Sequence, residues 1–309
     1  MWSTWSRTCS PASGPTFPPS RSWCWERIRR TDITYLTECL QWTLAPTDEN
    51  NENPNPDLAP HVINNSWFCD PEEGCTDIDI LRPVFENLRA AGIVSIGAAG
   101  NDGPGCFSIK YPPPIYEAYF AVGAIRAPDL ISAFSSRGPV RVDGSDRLKP
   151  DVSAPGEDVR TAGLGTSYYA DNGTSFASPH VAGLVALIIS ANPALAGNVD
   201  EIERIIRETA VPKVYTRQNC DSWSGAEVPN PIYGHGRIDA WAAVQEALMT
   251  PVLDPEGPPP VARPARLLLE PPIPNPGRSG ALIRYTLPED SPVSIRVFDV
   301  AGRPVVTIL

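Results

Sequence analysis

No run of about 18 apolar residues is found along the chain, so no segment is expected to cross a membrane. The opening residues, MWSTWSRTCS, put Trp, Ser and Arg where the apolar heart of a secretory signal would stand, and no signal peptide is legible there. Basic residues are scarce: 25 Lys and Arg face 36 Asp and Glu, for a net charge of −11. Phosphate backbones are held by basic patches, so nucleic acid is excluded as a partner class. No group of carboxylates has the spacing of a calcium loop, so no metal ligand and no cofactor is assigned. Histidine occurs three times, at His61, His180 and His235.

Proline, by contrast, is abundant, with 36 in 309 residues. That length suits one large α/β domain and a small appendage, able to bury roughly three quarters of its unfolded surface. Seven cysteines cannot all pair within one chain. Cys69 and Cys75 bracket a short turn and could close a loop in an oxidising compartment or remain two thiols. Cys106 and Cys220 are the other candidates, and Cys39 sits in an apolar stretch that suits a buried, inert thiol.

Residues 1–31 mix four Trp with Ser, Pro and Arg, without helical or strand period. They are expected to be disordered or mistranslated. Regular patterning starts near Asp32. Leu36, Leu40 and Leu44 form one helical stripe, and a polar loop follows over 46–60. HVINNSW reads as a short strand. Residues 76–91 read as a helix, with Thr76 as N-cap and Gly92 just past its end. IVSIGAAGN is an apolar run suited to a parallel sheet covered on both faces, which makes 61–99 a βαβ unit. YFAVGAI is a further strand, and KPDVSAPG passes from strand to loop. NGTSFASPHVAGLVALIISAN predicts a helix apolar all round and therefore buried, with Pro179 in its first turn. VDEIERIIRETA predicts an amphipathic helix with acidic residues at its start, and GHGRIDAWAAVQEAL a Gly-rich turn and a last helix. Residues 251–264 form a Pro-rich linker. ALIRYTL, VSIRVFDV and VVTIL beyond it carry the period-2 alternation of strands.

The chemistry concentrates in Asn172-Gly173-Thr174-Ser175-Phe176-Ala177-Ser178-Pro179-His180-Val181-Ala182-Gly183. A serine at a helix N-terminus lies where peptide N–H groups and the macrodipole favour developing negative charge. Taken alone, Ser175 would also suit an N-cap. The whole stretch resembles the subtilase family, whose nucleophile lies in G-T-S-x-A-x-P-H-V-A-G. The resemblance implies that Ser175 is the nucleophile, and that His180 is structural. Ile96-Gly97-Ala98-Ala99-Gly100-Asn101 resembles the family's oxyanion stretch, which implies that Asn101 donates to the oxyanion. Val62-Ile63-Asn64-Asn65-Ser66-Trp67 resembles its substrate-pairing strand. Asn65, Ser66, Trp67 and Gly100 are thereby implied to bind substrate. Phe68 departs from the pattern, since the family has Gly there. Asp151-Val152-Ser153-Ala154-Pro155-Gly156 matches a further landmark, a structural turn. Residues 273–304 resemble the start of a FlgD-type Ig-like sorting module.

The implied fold is an α/β, parallel-sheet subtilisin-like domain over 32–250, lacking its N-terminal part, followed over 265–309 by a truncated all-β Ig-like segment. Polypeptides are the implied partners, and an extracellular or cell-surface location is implied with them. Calcium is a cofactor in many subtilases, but no ligand carries over. The family's D-S/T-G and H-G-T-H motifs are not found in the sequence. The expectation is a serine endopeptidase family member that is inactive as written, a frameshift or misplaced start codon having replaced the stretch that held both motifs. The alternatives are a pseudopeptidase that binds without cleaving, and an unrelated α/β protein with chance matches.

Overall fold

In the computed structural model the described residues are 33–251, apart from 49, 51, 164 and 165, together with four short strands between 268 and 307. Contacts divide the chain into two compact units at the Thr250–Pro251 junction. Residues 1–31, and all but the first residue of the Pro-rich stretch 251–264, lie outside the described residues.

The first unit opens with helix α1 (Ile33–Leu44). Its Leu36 and Leu40 are buried and Leu44 packs beside them, as the stripe predicts. A parallel sheet follows. Strand β1 (Val62–Asn65) leads through helix α2 (Arg82–Ala90) to strand β2 (Val94–Ala98), which pairs parallel with β1. Strand β3 (Phe120–Arg126) lies parallel to β2 and turns into the short antiparallel strand β4 (Leu130–Ile131). Strand β5 (Val152–Pro155) pairs parallel with β3. All five residues of β2 are buried, because helices cover the sheet on both faces. Val94, Ile96, Phe120, Val122 and Val152 pack on one face; Tyr119 and Ala121 pack on the other, with Phe85 and Leu88 of α2.

A hairpin of β6 (Val159–Ala162) and β7 (Tyr168–Asp171), which the pattern does not announce, precedes helix α3 (Thr174–Ala191). Helices α4 (Val199–Glu208) and α5 (Ala240–Met249) complete the first unit. Both begin on a side-chain cap, Asn198 accepting from the Glu201 N–H and Asp239 from the Ala242 N–H. Arg89 of α2 reaches Glu203 of α4 at 2.6 Å, tying the two helices at the sheet margin.

Three expectations need correction. Helix α2 starts at Arg82 rather than beside Thr76. The Asp79 N–H donates to Asp77 Oδ1 in a local turn that competes with helix, and Pro83 then favours a start just before it. Helix α3 is not buried all round: Val181, Leu184, Val185 and Ile188 face the core, whereas Leu187 is 53% exposed. This helix is long and apolar enough by composition to cross a membrane, yet its inner face packs across the sheet as a core helix. Pro179 lies in the second turn of α3, inside the helix, and not in the first.

Both candidate cysteine pairs are disulfides, Cys69–Cys75 and Cys106–Cys220. Cys39 is buried. In the second unit, β8 (Leu268–Leu269) pairs antiparallel with β9 (Tyr285–Thr286), and β10 (Arg296–Phe298) with β11 (Pro304–Thr307).

Candidate active site

Parallel strands deliver their C-terminal ends to one edge of the sheet, where α/β folds place their ligand crevices. Here β1 runs out into Ser66-Trp67-Phe68, β2 into Ala99-Gly100-Asn101, and α3 begins at Thr174. Ser175 is the second residue of α3 and is half-buried. Its N–H is among those with no acceptor inside the helix, and the positive end of the macrodipole lies there.

Asn101 is oriented by Thr174. Its Oδ1 accepts from the Thr174 N–H at 2.9 Å and from Thr174 Oγ1 at 3.0 Å. Both bonds go to the carbonyl oxygen, which leaves the amide Nδ2 to donate. That nitrogen lies on the Gly173 side, 3.7 Å from where a Cβ on Gly173 would stand. The Gly100 N–H donates to Thr174 Oγ1 at 3.2 Å, fixing the same junction from the strand side. Gly100 itself holds φ +110, and a Cβ there would meet Ser136 Oγ at 2.8 Å, so both conformation and space call for glycine.

Ser66 clasps the helix. Pro179 has no N–H for the Ser175 carbonyl four residues back, and Ser66 Oγ donates to that carbonyl at 3.1 Å. Ser66 Oγ also shares a hydrogen bond with Ser178 Oγ at 3.1 Å. In return Ser175 Oγ donates to the Ser66 carbonyl at 3.4 Å. A proline inside the helix and a serine after β1 thus lock the nucleophile candidate to the strand. Asn65 is buried, and its carbonyl accepts from Tyr119 Oη at 2.7 Å. Strand alternation puts its side chain on the Ile63 face, toward α2 and away from α3, so only its backbone faces the crevice. Trp67 is half-buried and packs on Phe85 at 6.4 Å between ring centroids.

No histidine bonds to Ser175 among the described residues. His180 sits on the exposed side of α3, its Nδ1 bonded to the Phe176 carbonyl at 2.9 Å. His61 precedes β1, at the opposite end of that strand from Ser66. His235 lies in the turn whose N–H donates to the Asp151 carbonyl. Burial, and next the Arg207 charge, hold its imidazole below the ordinary 6.5, against the pull of Asp151 and Glu208. The unfolded chain therefore binds this proton more readily than the fold, so stability should fall as pH drops through 6.5. Replacing His235 by glutamine should flatten that part of a urea-stability profile between about pH 7 and 5. An unchanged slope would assign the pH dependence elsewhere. Among the described residues no three His, Cys, Asp or Glu side chains gather as metal ligands.

The family model described as the Subtilase family matches residues 41–236, which include every element of this site. The chain belongs to the subtilase family. Bacillopeptidase F of Bacillus subtilis is 37% identical over 222 residues, covering 69% of this chain and 14% of that protein. Serine protease AprX of Bacillus subtilis is 30% identical over 226 residues, covering 66% of this chain and 46% of that protein. The chain thus spans less than half the length of either relative. A protease structure from Pseudoalteromonas arctica matches with TM-score 0.50 and 26% identity, covering 69% of this chain and 58% of that one. In this subtilase the sequence motifs locate Ser175 and Asn101, but they do not announce Thr174 as the residue that orients Asn101. The legible hint was the side chain itself, a hydroxyl directly ahead of Ser175.

Proposed function

We propose that this chain carries the nucleophile and oxyanion donors of a serine endopeptidase that acts on polypeptides. The carrying observation is the pinning of Asn101 Oδ1 by Thr174, which turns Nδ2 toward the helix start that bears Ser175. In the proposed reaction Ser175 Oγ adds to a peptide carbonyl carbon and gives up its proton to a base. Asn101 Nδ2 and the Ser175 N–H hold the resulting oxyanion. Collapse expels the amine, which takes up a proton, and water then hydrolyses the acyl ester. A serine without a base is a poor nucleophile at neutral pH. With no histidine bonded to Ser175, this chain alone is expected to cleave no polypeptide at a useful rate. Two disulfides suit an oxidising compartment, which supports an extracellular or cell-surface location.

A second reading, a pseudopeptidase that binds without cleaving, is favoured by Phe68, which lines the recess beside Asn101. A fluorophosphonate probe separates the two. Slow labelling is expected at Ser175, lost in Ser175→Ala and slowed roughly tenfold or more in Asn101→Ala. Labelling no faster than that of Ser175→Ala, together with retained polypeptide binding, would establish the second reading.

A further inference from the structure

Next to Asn101 the surface sinks into a shallow recess. Its wall is made by Phe68, Gly100 and Asn101 from the strand ends and by Asp102, Lys110 and Tyr111 from the loop beyond. Asn101, the donor proposed to hold the reacting carbonyl, lines this recess, so a side chain adjoining that carbonyl would come to its mouth. The inference therefore rests on the reading above.

The recess already contains an aromatic pair. The Phe68 and Tyr111 rings stack with centroids 5.6 Å apart and planes 17° from parallel. Stacked pairs need about 4.5–7 Å between centroids, so no third ring fits between these two. Phe68 lines the recess, and Tyr111 stacks against it. Lys110 backs the arrangement, its ammonium 5.0 Å from the Tyr111 centroid. The rim charges cancel, Lys110 Nζ lying 3.4 Å from Asp102 Oδ2, so charge gives the recess no reason to choose an acidic or basic side chain.

We infer that Phe68, stacked on Tyr111, determines specificity by plugging this recess, so that the site takes polypeptides with a small side chain, such as Ala or Ser, on the acyl side of the scissile bond. Phe68 is 38% exposed, so trimming it removes the plug without opening the core.

The test is calorimetric binding of two peptide acids, N-acetyl-Ala-Ala-Ala and N-acetyl-Ala-Ala-Phe, to the full chain and to Phe68→Ala. The Ala peptide should bind the unaltered chain more tightly. Phe68→Ala should gain about 10- to 100-fold for the Phe peptide, the worth of burying a phenyl group, with the Ala peptide moved by less than about threefold. Tyr111→Ala, which frees the plug without removing it, should shift the preference in the same direction and by less. Equal affinity for both peptides in the unaltered chain, a ratio insensitive to Phe68, or binding of neither peptide to either protein overturns the inference. Fluorophosphonate labelling of the same samples keeps the two claims apart. If Ser175 never labels while the Phe68→Ala shift appears, the nucleophile reading and the acyl-side assignment fall together and only the control of peptide binding by Phe68 stands; labelling with an unmoved ratio overturns the Phe68 claim alone.

Discussion

Replacing Lys149 with methionine is expected to destabilise the first unit by about 3–5 kcal/mol, the usual consequence of stripping one partner from a buried ion pair. Lys149 is 2% exposed. Its ammonium donates to the Tyr119 carbonyl at 2.5 Å and to Asp151 Oδ2 at 2.7 Å. The same carboxylate oxygen accepts from the Ala121 N–H at 2.7 Å, and the Asp151 carbonyl accepts from the His235 N–H. One ion pair thus joins the entry to β3, the entry to β5 and the turn around His235. Methionine fills similar volume, so packing is largely kept. The Asp151 carboxylate would keep a backbone donor but lose its neutralising charge in a poorly hydrated place. Urea unfolding should show a lower midpoint at an unchanged slope. The double variant Lys149→Met/Asp151→Leu should recover part of the loss, because an apolar pair leaves no orphaned charge. A loss below about 1 kcal/mol in the single variant would mean that the pair is hydrated and contributes like a surface bridge.

That brace also shows where sequence reading stops. The α/β class, the parallel strands and the helices around them were legible because each leaves a periodic or continuous apolar trace. Leu36, Leu40, Val84 and Leu88 announce their faces, and Val94–Ala98 its double burial. Lys149 carried no such trace, since a lysine beside Pro150 reads as loop until Tyr119 is seen to cap it. The start of α2 was misjudged because Asp77 and Asp79 draw the chain into a local turn. The hairpin of β6 and β7 was missed because its strands are half-exposed and only four residues each. At the site, the motifs located Ser175 and Asn101, but the bonds from Thr174 and Ser66 join residues that are 73 and 109 positions apart. Long-range hydrogen bonds of this sort leave no local pattern. Pro179 is the instructive case: its place in the second turn frees the very carbonyl that Ser66 takes up.

Removing the Cys106–Cys220 bridge as a pair of alanines should cost about 4–5 kcal/mol, whereas removing Cys69–Cys75 should cost only about 2–2.5 kcal/mol. The difference follows from loop length. The first bridge joins residues 114 apart and the second residues 6 apart, so the first removes far more freedom from the unfolded chain. The long loop encloses β3, β5, α3 and α4, hence the helix that bears Ser175 and the sheet beneath it. The bridge also has a local role. It anchors the segment after Asn101 to residues 218–223, where Gln218 Nε2 donates to the Pro104 carbonyl at 2.9 Å and Arg137 in turn bonds Gln218. That anchored segment supplies Lys110 and Tyr111 to the recess wall. Two readouts therefore separate the bridges. Urea midpoints should rank Cys106→Ala/Cys220→Ala well below Cys69→Ala/Cys75→Ala, and equal losses would refute the loop-length account. Binding of N-acetyl-Ala-Ala-Phe should improve in the first variant, as the Tyr111 side of the stack loosens. If binding is unmoved while stability falls, the wall is held by Gln218 and its neighbours, and the disulfide acts on the unfolded chain alone.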